Sequence, residues 1–118
     1  MKLVILESPY AGTSRFAIVR WFQRRRHIRY ARACVRDSLS RGEAPIASHL
    51  LYTQDGILRD TDPRERAWGI DAGLAWGDVA QATVVYADFG LSSGMRKGII
   101  TAHNDDRPVI YRQIGRTL

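Results

Sequence analysis

The chain has 118 residues, with 18 Lys+Arg against 12 Asp+Glu, a formal charge of +6 and 45% hydrophobic residues. That length supports one core and excludes a multidomain protein, and a single cysteine, Cys34, excludes an internal disulfide scaffold. The apolar run Leu3 to Leu6 is too short for a signal-peptide core or a membrane span, so the expectation is a protein of the reducing cytoplasm without a membrane partner.

Leu3 to Leu6 predicts a buried strand, ended by the turn Glu7-Ser8-Pro9-Tyr10-Ala11-Gly12. From about Ser14 a helical stripe of Ile18, Trp21 or Phe22, Ile28, Ala31, Val35 and Leu39 runs to Gly42, with a break expected near Gln23 to His27. Charge concentrates here. Residues 15–41 hold nine arginines and one acid, Asp37, for a net +8, so the rest of the chain sums to −2. Ala44 to Ala47 predicts a short second strand, and Ser48 to Thr61 a long loop of the kind that is usually functional or mobile. Asp62-Pro63-Arg64-Glu65 starts a helix, with Asp62 as N-cap, Glu65 closing a capping box and an inward stripe of Ala67, Ile70 and Leu74. Ala82 to Tyr86 is the clearest strand. Leu91 to Gly94 opens a third long helix with Met95, Gly98, Ile99 and Ala102 inward, and Arg107 to Tyr111 forms a fourth strand.

Strands alternating with helices, and apolar throughout, imply an α/β fold: a flavodoxin-like three-layer sandwich around a mostly parallel four-stranded sheet, in one domain over residues 1–118. Ligands of such sheets bind beyond the carboxyl ends of the strands, where the strand order reverses. That rule selects Glu7, Ser8, Tyr10 and Gly12, then Ser48 and His49, Asp88, and Ser92, Ser93, Gly94 and Met95. Ser92 to Met95 is an anion cradle or a plain helix cap. Glu7 is a base or sugar contact, or a structural carboxylate paired with an arginine. Asp71, at the edge of its apolar stripe, is an acid with a shifted pKa or the partner of Arg64 or Arg66. Asp88 and Tyr10 stand where ligand contacts are expected, and His49 is a substrate contact or a loop anchor. Cys34 is expected to be buried. His27, His49 and His103 lack ligand spacing, and no Gly-x-Gly-x-x-Gly occurs, so neither a metal nor a cofactor is expected.

Five strings, Leu6 to Gly12, Tyr30 to Cys34, Arg41 to Gln54, Ser93-Gly94-Met95 and Pro108-Val109, together resemble a family of small phage and prophage proteins. That family is similar to the nucleoside 2-deoxyribosyltransferases and nucleotide N-glycosidases. The resemblance implies a flavodoxin-like sheet that binds a nucleoside or nucleotide at its carboxyl edge and cleaves or transfers the N-glycosidic bond, in a homo-oligomer. In the characterised enzymes a carboxylate about four residues after the Ser-Gly helix start attacks the anomeric carbon. Here that place falls on Lys97 or Gly98, and no acid lies between Asp88 and Asp105. Glycosyl transfer by this route needs a carboxylate, so Glu7, Asp71 or Asp88 takes the role or the protein is not that enzyme. The stretch Arg15 to Arg25 is also longer and more basic than the connection usual in the family.

Two functions follow. One is a nucleoside or nucleotide enzyme or binder, with Ser92, Ser93 and Gly94 on a phosphate, Tyr10 on the base and Asp71 or Asp88 on the sugar. The other is a non-catalytic binder that uses Arg20, Arg24, Arg25, Arg26 and Arg29 against nucleic acid or an acidic protein.

Overall fold

The computed structural model describes residues 1–115. Four strands, β1 (Lys2–Glu7), β2 (Glu43–Ile46), β3 (Ala82–Tyr86) and β4 (Val109–Arg112), pair in parallel in the order β2-β1-β3-β4. The helices are α1 (Ala17–Ser40), α2 (Ser48–Leu51), α3 (Pro63–Ala75), which runs on into a 3₁₀ turn at Trp76–Asp78, and α4 (Ser93–Asn104). This is a mixed α/β fold with an all-parallel sheet. The order reverses between β1 and β3, and this switch point is where ligands of doubly wound sheets are expected to bind.

One face of the sheet packs Val4, Leu6, Ala82, Val84 and Tyr86 against Tyr30 and Cys34 of α1. The other packs Val85 against Met95 and Ile99 of α4, the inward face expected from the sequence. Beside the first layer lies a buried polar network. Arg112 forks onto Glu43 at 2.7 and 2.6 Å, Ser38 Oγ donates to Glu43, and Tyr86 Oη donates to Asp37. It ties the end of α1 and the start of β2 to the ends of β3 and β4, and it leaves no buried charge unpartnered.

α1 differs from its expected form in two ways. It is unbroken through Gln23 to His27, because arginine is a good helix former and neither Gly nor Pro interrupts the run. Of the expected stripe Ala31 and Val35 do face the core, but the rest of the inward face is Gln23, His27, Tyr30, Cys34 and Ser38 rather than Ile18, Trp21 or Phe22 and Leu39. Ile18, Trp21 and Phe22 are 68%, 50% and 60% exposed. Length explains this: 24 residues span about 36 Å, whereas the five-residue β3 covers about 17 Å. The first three turns therefore overhang the carboxyl edge of the sheet. Gly42 takes the left-handed conformation, φ +80°, that stops the helix.

The expected loop at Ser48 to Thr61 begins with α2. Asp62 caps α3 as expected, accepting from the Arg64 N–H at 2.9 Å, but Glu65 turns back to the Arg59 N–H instead of closing a capping box. The Ala67–Ile70–Leu74 stripe faces outward, with Ile70 and Leu74 each more than half exposed. α3 packs instead through its glycines: a Cβ on Gly73 would lie 2.7 Å from Ser48 Oγ, and one on Gly69 3.2 Å from Leu58. No described helix is long and apolar enough to cross a membrane.

Candidate functional site

The end of β1 and the turn after it bring Glu7, Ser8 and Tyr10 to the switch point. Glu7 points to the α4 side, where a Cβ on Gly98 would collide with its carboxylate, so the missing side chain at 98 makes the room that Glu7 occupies. No donor among the described residues hydrogen-bonds this carboxylate, and no buried side-chain oxygen is left unpartnered, so both oxygens keep contact with solvent. Burial pushes its pKa up to about 7, against a smaller downward pull from the Arg107 guanidinium. Arg107 itself is engaged by Thr83, Gly77 and Asp105.

Ser8 is buried and shares a hydrogen bond of 2.7 Å with His49 Nε2. Burial holds the imidazole down at about 4, so His49 is neutral at physiological pH and anchors the start of α2 to the end of β1. Tyr10 meets the His49 ring edge-on. Its hydroxyl accepts from both Arg24 Nε and Arg24 Nη2, and its carbonyl accepts from His27 Nδ1 at 3.1 Å. Across the crevice, Arg26 lies 4.4 Å from the centroid of the Phe89 ring, which packs on Tyr30. The overhang of α1 thus brings Arg24, Arg26 and His27 to the loops after β1 and β3. Arg24 also lines a pocket of about 380 Å³ formed by residues 53–61 and Glu65.

At the start of α4 the Ser92 hydroxyl accepts from the Met95 N–H at 3.2 Å and is used as a cap. The N–H groups of Ser93 and Gly94, both exposed, donate to no described residue.

The family model described as a domain of unknown function, DUF7768, matches residues 2–112. The chain belongs to that family. None of the curated proteins and none of the solved structures compared with it matches.

Several expected site residues of this DUF7768 chain have other work. Asp88 accepts from Tyr30 Oη at 2.5 Å and from the Ile114 and Gly115 N–H groups at 3.0 Å each. Burial raises its pKa, but these bonds outweigh it and leave the carboxyl below its usual range, as a structural clasp and not a free acid. Asp71 is exposed on the outer side of α3 and not half-buried, and it pairs with neither Arg64 nor Arg66. Met95 is a core residue, 1% exposed. Gly12 admits the backbone of Arg20, and Ser48 fills the space above Gly73. Glu7, Ser8, Tyr10, His49, Ser93 and Gly94 share the carboxyl edge at the switch point. Sequence reasoning misses Phe89, and it names Gly98 and His27 without their contacts to Glu7 and Tyr10, because each acquires meaning only from what crosses it. Among the described residues no cluster of His, Cys, Asp or Glu is arranged to hold a metal.

Proposed function

We propose that the carboxyl edge of this sheet binds a nucleoside or nucleotide and that Glu7 supplies the carboxylate for cleavage or transfer of its N-glycosidic bond. The observation that carries the reading is the seating of the Glu7 carboxylate against Gly98 of α4. The resemblance puts the acid of similar enzymes at Lys97 or Gly98, and an acid from β1 reaches the second of these places from the sheet. Glu7 Oε attacks the anomeric carbon, and the bond to the base breaks with its electron pair leaving on the base, which takes a proton from water. Water or an acceptor base then releases the sugar from the glycosyl ester. The free N–H groups of Ser93 and Gly94, at the positive end of α4, suit a phosphate, while Tyr10, braced by Arg24, borders the base. Exposed Trp68, Ile70 and Leu74 on α3 support a homo-oligomer, and the free thiol of Cys34 suits the reducing cytoplasm in which we place the protein.

The test is chromatographic detection of free base from a panel of nucleosides and nucleoside monophosphates. Release is expected from at least one of them, to rise with pH as Glu7 ionises around 7, and to fall at least 1,000-fold in Glu7→Gln. A panel that yields no base and no rise in melting temperature overturns the reading.

A further inference from the structure

The outward face of α1 is the largest feature that the crevice does not use. Ile18, Phe22, Arg25, Arg29, Arg32 and Arg36 follow one another at intervals of three or four residues. With 3.6 residues per turn they fall within about 40° of a single line along the helix, directly opposite the buried Tyr30, Ala31 and Cys34. The line is about 27 Å long, and all six residues are exposed. Trp21 flanks it, edge-on to Phe22 with ring centroids 4.9 Å apart, and Arg25 covers the Trp21 ring at 4.8 Å. The three ion pairs of the described residues involve Arg41, Arg107 and Arg112, so none of the arginines on this face is neutralised by an acid. Helix stability does not require them to be arginine. A row of uncompensated guanidinium groups about 5–6 Å apart matches a row of phosphates, and aromatic rings at the end of such a row are stacking platforms for unpaired bases.

We infer that the outer face of α1 binds single-stranded nucleic acid, with Arg25, Arg29, Arg32 and Arg36 on successive phosphates and Trp21 and Phe22 stacked on bases. A membrane surface would call for apolar residues along the whole face, and they are confined here to its first two turns. A duplex would leave the aromatic rings without a partner. The inference stands apart from the Glu7 reading, since it uses none of the crevice residues and is measured on a different ligand.

The experiment is fluorescence anisotropy of the full chain with a labelled 15-nucleotide deoxythymidine oligomer, alongside quenching of tryptophan emission. Four phosphate contacts give a log–log salt slope of about −3, and hence about 50-fold weaker binding at 200 than at 50 mM salt. Arg25→Gln and Arg29→Gln are each expected to flatten the slope by about 0.7. Trp21→Leu is expected to weaken binding about tenfold and to abolish the quenching. Arg→Lys at all four positions keeps the charge and is expected to keep the slope, which separates loss of contact from loss of fold, and each variant is checked against the wild-type melting temperature. Absence of binding, a flat salt dependence, a duplex or polyglutamate bound as tightly, or a dimer that Trp21→Leu dissolves would each overturn the proposal.

Discussion

Glu7 and His49 sit on neighbouring chain segments and are perturbed by burial in ways that oppose each other. The folded chain holds the Glu7 proton up to about pH 7, whereas the unfolded chain releases it near 4.5, so stability is lost as pH rises through that window. His49 stays neutral in the folded chain down to about pH 4, whereas the unfolded chain takes up a proton near 6.5, so stability is lost as pH falls through that window. Each effect amounts to up to about 3 kcal/mol, and between pH 4.5 and 6.5 they nearly cancel. Glu7→Gln is therefore expected to stabilise the protein by up to about 3 kcal/mol at pH 8 and hardly at all at pH 4.5. His49→Gln is expected to do the reverse. Urea melts at pH 4.5, 6 and 8 check this, and curves shifted equally at all three would sink it. The sequence marks Glu7 and His49 as residues at strand ends, but not the burial that separates their pKa values. Glu7 is covered by α4 at Gly98, and His49, itself on α2, packs against Ser8 and Tyr10.

At the scale of elements, α4 and β1 meet through a vacancy. Gly98→Ala improves helix propensity by about 1 kcal/mol but drives a methyl group into the Glu7 carboxylate. The expected net result is a loss of about 1–3 kcal/mol together with the loss of base release. In a Glu7→Ala background the same change meets open space and is expected to stabilise by up to about 1 kcal/mol. A double-mutant cycle in urea measures the coupling, and additive effects would separate Glu7 from Gly98. Strand and helix positions are well marked by composition: Ala82 to Tyr86 is apolar and β-branched, and Asp62-Pro63 is a strong helix start. The direction in which a helix faces is less legible. The inward side of α1 includes Gln23, His27 and Ser38, polar residues satisfied by Thr13, Tyr10 and Glu43, so hydrophobic spacing finds Ala31 and Val35 on the core side but points outward over the first turns. On α3 glycine makes the inward contact, which frees the apolar stripe for the outside.

At the scale of the whole molecule, the apolar outer face of α3 is the counterpart of the glycine packing beneath it. Ile70 and Leu74 lie together on this face, each 53% exposed, while Trp68 is 67% exposed on another side of the helix, and exposed apolar groups of this size mark contact surfaces. Sedimentation equilibrium is expected to show an oligomer that Leu74→Asp dissociates at least tenfold more readily, while a monomeric wild-type chain would exclude the arrangement. Oligomerisation would bury the outer stripe of α3 but leaves α1 as it is, a helix about twice as long as the strand β3 beneath it. Thermodynamically such a helix is two segments. Residues 30–38 lie on the sheet and open only with it, while residues 17–28 are held by helix formation and by side-chain contacts to two loops: Gln23 with Thr13 and Ser14, Arg24 and His27 with Tyr10, and Arg26 with Phe89. Any ligand that grips the overhang meets part of the cost of ordering it, and Tyr10 then receives its two partners already in place. If both sites bind as proposed, the crevice and the outer face of α1 would be coupled through the conformational entropy of three helical turns without sharing a ligand contact.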